Sequence, residues 1–121
     1  MASEAQSNML SLLPPDLAGL AFDLSTVAGS KEYCFPLAAA PAVLNILLMN
    51  GVAVLGGDLW DFENGEYYPS GENWYTESVE GEPAEIREAR VGATARQFFA
   101  RYATAGDKRV TFVVRSNPAA S

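Results

Sequence analysis

The sequence predicts an α+β fold: a small mixed β-sheet with two main helices packed on it, in a single domain. Three observations carry this. Residues 40–50, APAVLNILLMN, form a helix-length apolar run opened by a proline and followed by Gly51. An Asn64-Gly65 pair separates two alternating segments, the strongest short hairpin signal. Residues 109–115, RVTFVVR, are β-branched and aromatic enough for a strand near the sheet centre. At 121 residues, with 49% apolar and 19% charged content, the chain has room for one domain and one core and does not read as disordered. The domain is expected over 9–116, between a flexible N-terminus at 1–8 and a flexible tail at 117–121.

In chain order, residues 8–13 make an apolar turn that Pro14-Pro15 breaks. Asp16 then caps a short helix over about 15–24, where Leu17, Leu20, Ala21 and Leu24 recur at helical spacing. After a loop at 29–31, Tyr33-Cys34-Phe35 is a brief apolar stretch of either type. The helix at 40–50 has almost no polar face, so it is expected to be buried on more than one side, against the sheet and a second helix or at a dimer contact, with burial preferred. Val52 to Leu55 reads as a central strand, interrupted by Gly56-Gly57 as at a bulge or close backbone approach. Residues 59–63 resume in alternation, and 66–68 return as the partner strand, stopped by Pro69-Ser70-Gly71. Residues 72–81 read as irregular. Pro83 opens the second long helix, with acids in its first turn and Val91, Ala95, Phe98, Phe99 and Tyr102 on one face.

The absence of histidine narrows the function. It removes the commonest general base and metal ligand, together with every Ser-His or Cys-His arrangement. One cysteine cannot make a zinc site or an internal disulfide, and fits a reducing compartment. No run of about 18 apolar residues is present, and no Lys or Arg precedes Lys31, so a cytoplasmic protein without membrane contact is expected. Asp58, Asp61 and Glu63 lack the ligand spacing of a calcium loop. Neither cofactor nor metal is expected, nor catalysis.

Charge is unevenly placed. From 58 to 88 ten acids face one base, Arg87, for a local net of −9 within a chain of net charge −7. From 90 to 115 six bases face only Asp107, for +5. Most charge runs are merely solvated faces, but an acidic patch also steers a basic partner, and it disfavours nucleic acid as a ligand. Six of the thirteen aromatic residues fall between 60 and 75, inside the acidic segment. Aromatic anchors mixed with carboxylates resemble a protein-binding surface. The expected contact set is Asp58, Trp60, Asp61, Glu63, Glu66, Tyr67, Tyr68, Trp74, Tyr75 and Glu77, with Gly56, Gly57, Asn64, Gly65 and Asn73 in structural roles. The residues alone support a protein-binding domain. An acidic adaptor or nucleic-acid mimic that binds basic proteins is the alternative, and a small carboxylate-based enzyme is the weaker one.

The order of the middle segment adds a resemblance. AVLNILLMNGVAVLGGDLW, a turn-containing stretch, and then ENWYTE resemble immunity protein family 40 of bacterial polymorphic toxin systems. In that family a helix ending in Asn-Gly leads into a strand carrying LGGD, followed by a hairpin, an Asn-Trp-Tyr motif, a helix and a final strand. The resemblance spans roughly residues 15–115. It implies an α+β protein that protects its producer by binding a cognate toxin directly, and it gives no toxin identity. Occlusion is the expected route, and a nuclease, whose positive substrate groove would attract the acidic patch, is one candidate. A homodimer stays open but has no support in the residues.

Overall fold

A computed structural model describes residues 2–29, 32–77, 79–104 and 106–115. Helix α1 spans Ala2–Leu12 and takes in residues 2–8 of the segment expected as a flexible lead. Ala5, Met9 and Leu13 recur every fourth residue and are buried, which holds α1 against the sheet. Gln6, also buried, joins them with two hydrogen bonds: its Nε2 donates to the Phe112 carbonyl at 2.8 Å, and its Oε1 accepts from the Tyr33 amide at 3.2 Å. The expected tail at 117–121 lies outside the described residues.

The expected helix over 15–24 is not continuous, and residues 15–28 form three short pieces. They are α2 at Pro15–Ala18, strand β1 at Phe22–Asp23 and α3 at Ser25–Ala28. Asp23 divides them, its Oδ1 accepting from the Ser25 amide at 2.8 Å, as in a local turn that competes with helix. Strand β2, Tyr33–Pro36, settles the type of the short apolar stretch. A 3-10 turn at Leu37–Ala39 leads into α4, Ala40–Met49. Its buried stripe is Ala40, Val43, Leu44 and Leu47, while Ile46 and Leu48 are half-buried and Met49 is 84% exposed. One face of α4 is therefore buried outright, fewer than the sequence suggested.

Strand β3, Ala53–Glu63, is the longest, and the Asn64-Gly65 turn returns it into β4, Glu66–Tyr75. Both turn residues have positive φ, 52° and 78°, the geometry that a two-residue hairpin turn demands. Pro69 does not stop β4. It lies on the edge of the sheet, where a missing N–H is tolerated, and the ladder steps around residues 70–72 before resuming at Asn73 opposite Asp58. The Ser70 hydroxyl donates to the Leu59 carbonyl at 2.9 Å and accepts the Glu72 amide at 3.1 Å, satisfying the backbone of that step. Helix α5, Ala84–Tyr102, precedes β5, Lys108–Thr111, and β6, Val113–Arg115.

The sheet order is β1-β2-β5-β3-β4, with β6 also on β3. Every pairing is antiparallel, where a mixed sheet was expected. Strands β2 and β3, joined through α4, would be parallel neighbours, but β5 inserts between them and runs against both. The anticipated single last strand is divided at Phe112, whose ring turns into the core between Phe35 and Phe99, each 6.1 Å away centre to centre. Helices α1, α4 and α5 cover one face, over Leu59, Trp74, Val110 and Phe112. On the other face the β1–α3 segment covers only a corner, where Leu24, Cys34 and Trp60 are buried with Tyr67 against them. Each fully buried side chain of this size contributes roughly 1.5–3 kcal/mol.

Candidate partner-binding surface

The hairpin brings the acidic and aromatic segment together as one ribbon, and its parity decides which side chains reach solvent. Trp74 stands opposite Gly57 and Trp60 opposite Pro69. Gly57 and Trp60 lie three residues apart on β3, so strand alternation alone sends the two indoles to opposite faces and into different clusters. Trp74 is 6% exposed and meets Phe99 edge-on at 6.2 Å, and Trp60 is 7% exposed. Both were expected on the contact surface; both are core residues, because each indole covers apolar side chains of its own face.

Gly56 and Gly57 sit where backbones touch. A Cβ on Gly56 would lie 2.3 Å from the Trp74 carbonyl oxygen, and one on Gly57 would lie 2.2 Å from that of Thr111 and 2.8 Å from the Trp74 indole nitrogen. The Asp58 amide then donates to the buried Thr111 hydroxyl at 3.1 Å. These contacts pin residues 56–58 between β4 and the strands on the other side.

Among the acids, Asp61 is held by Lys108 in an ion pair and is not free to meet a partner. Asp58 is half-buried, while Glu63, Glu66, Glu72 and Glu77 are exposed. Among the described residues none of these five forms an ion pair. Glu66 accepts the Tyr68 hydroxyl, and that bond, before the carboxylate charge itself, raises the Tyr68 pKa. Glu77 follows β4, and its carbonyl accepts Arg90 Nη2 at 2.9 Å. Arg90 also grips Glu82 through Nη2 at 2.8 Å and Nε at 3.1 Å, holding the Glu82 carboxyl below its usual pKa.

Of the tyrosines, Tyr75 is 70% and Tyr68 46% exposed. Tyr67 is half-buried, stacked on Phe22 at 4.3 Å and tilted against Phe62 at 4.6 Å. Two hollows result. At the tip, Tyr67 and Glu66 join Phe22, Thr26, Val27, Phe62 and Gly65 around a groove of about 550 Å³. At the opposite end Asp58, Asn73 and Tyr75 line a shallow depression of about 300 Å³ with Leu55, Gly56, Gly57, Trp74 and Val113. Phe22, Val27, Leu55 and Val113 were not anticipated. Phe22 reaches Tyr67 across 45 positions of sequence, with no local pattern to announce it. Alternation after buried Phe112 was the available signal for Val113. A third groove, of about 570 Å³ between the start of α4 and the end of α5, holds none of the predicted residues.

Reactive chemistry is sparse. Among the described residues no three His, Cys, Asp or Glu side chains could hold a metal ion. Burial pushes the Cys34 thiol up to about 11, so it is a poor nucleophile. The surface offers aromatic area, free carboxylates and a rigid backbone, which suit recognition of a protein. A family model described as immunity protein 40 matches residues 23–115. The chain belongs to the immunity protein 40 family. No curated protein matches it. The matched span reaches from β1 to β6 and contains the hairpin, α4 and α5, while α1 and α2 of this immunity protein precede it. Membership implies a cognate toxin protein as the partner. No described helix of the immunity protein is long and apolar enough to cross a membrane.

Proposed function

We propose that this immunity protein neutralises a toxin of a bacterial polymorphic toxin system by binding it directly and occluding its active region, without catalysis of its own. The contact surface in this reading is formed by the exposed side chains of residues 58–77, without the two tryptophans. The observation that carries it is the coincidence on one hairpin of exposed Tyr68 and Tyr75 with carboxylates that have no ion-pair partner among the described residues. Aromatic side chains supply desolvated anchors, and unpaired acids speed encounter with a basic surface. A nuclease, whose substrate groove must be positive to hold phosphates, is the toxin class that suits such a surface.

Co-expression in bacteria with the toxin domain encoded beside this chain tests the reading. Growth is restored by the wild-type chain, and a stable complex is recovered from those cells. Restored growth without a complex would point to catalysis or an indirect route instead. An adaptor for basic proteins in general would bind many partners and lose them all at moderate salt.

A further inference from the structure

The LGGD and Asn-Trp-Tyr segments, far apart along the hairpin, meet at the depression of about 300 Å³ at its open end. The fold accounts for part of them. Gly56 and Gly57 are required by backbone contact, and Trp74 fills the core. It does not account for Asp58, Asn73 and Tyr75. Among the described residues their side chains make no hydrogen bond, ion pair or ring contact, yet all three face the same hollow. No basic side chain lines it, and Leu55, Val113 and the Tyr75 ring form an apolar wall beside the Asp58 carboxylate.

We propose that this depression is the anchor site for one basic side chain, lysine or arginine, of the cognate toxin. The cation sits against the Asp58 carboxylate with the Asn73 amide oxygen beside it, and the methylene stem lies along Tyr75 and Val113. Charge complementarity identifies the occupant: a partly buried carboxylate without a counter-ion, in a segment of local net charge −9, gains most from a cation that brings its own apolar stem. The aromatic face adds a cation–π contribution. Because residues 56–58 are already pinned, the floor of the site needs no ordering on binding.

This inference rests on the toxin-binding reading above, and the test separates the two. Dissociation constants are measured for the toxin domain with the wild-type chain and with Asp58→Asn, Asp58→Arg, Tyr75→Ala and, as an exposed acid away from the depression, Glu63→Gln. Asp58→Asn and Tyr75→Ala should each weaken binding by about ten-fold or more, chiefly through faster dissociation, and Glu63→Gln by about two-fold at most. Asp58→Arg should abolish binding, and one Lys→Glu or Arg→Glu change in the toxin should restore it. Asp58 and Tyr75 lack internal side-chain partners, so melting temperatures should stay at the wild-type value; should Asp58→Asn fail to fold, the solvent-exposed Tyr75→Ala carries the test. Wild-type binding unaffected by either change would overturn the anchor and leave toxin binding intact. A loss at Asp58 that no acidic replacement in the toxin restores would overturn the basic occupant. No binding by the wild-type chain would overturn the proposed function itself.

Discussion

A methyl group at Gly57 would collide with the Thr111 carbonyl oxygen, which belongs to a buried strand and cannot retreat. Gly57→Ala is therefore expected to lower stability by about 1–3 kcal/mol in urea unfolding. Trp74→Ala should cost about 3–5 kcal/mol, because its ring fills the space between Gly57 and Phe99. A loss of toxin binding in that variant reports the fold and not a contact. Cys34 gives a pH signature. Its folded pKa, about 11, lies above the ordinary 9.0 because burial penalises the thiolate. Below pH 9 the thiol is protonated in both states and its full contribution is present. Between pH 9 and 11 the unfolded state loses the proton first, so stability falls, on the order of 2 kcal/mol. Cys34→Ala should flatten that part of the pH–stability curve; an unchanged slope would assign it to the tyrosines, of which Tyr67 and Tyr68 are also raised.

At the scale of elements, α1 depends on Gln6, and Gln6→Ala removes the donor to the Phe112 carbonyl at the break between β5 and β6. The expected loss is about 1–3 kcal/mol, with faster hydrogen exchange across β6. A melting temperature equal to wild type would mean that α1 is not docked through this residue. This helix was not legible in the sequence: polar residues fill most of SEAQSNML, and its buried stripe is narrow. Helices α4 and α5 and the Asn64-Gly65 turn were legible, since each combines an apolar pattern with a local stop or turn signal. The extension of β4 past Pro69 was not, because only its place on the sheet edge makes a proline tolerable there. The site follows the same division. Its region could be read from charge and aromatic content, and alternation from the Asn64-Gly65 turn sends Trp60 and Trp74 to opposite faces. That both faces are covered there depends on elements distant in sequence, α5 over Trp74 and the β1–α3 segment over Trp60.

For the whole molecule, charge and fold act together. Basic residues from 90 onward partly neutralise the acids, as Lys108 does Asp61 and Arg90 does Glu82, yet the hairpin keeps carboxylates without ion-pair partners among the described residues. Toxin association should accordingly slow as salt rises, and Glu63→Gln with Glu72→Gln should reduce that salt dependence more than they change dissociation. The family assignment makes the chain an immunity protein; the route by which it protects is the claim that needs direct measurement. Hydrogen exchange of the chain, alone and saturated with its toxin domain, is that measurement. Direct occlusion through the hairpin predicts new protection concentrated in residues 55–77, with α4 and the start of α5 unchanged. Protection confined to the helical face, or none at all in cells where growth is nevertheless restored, would contradict it.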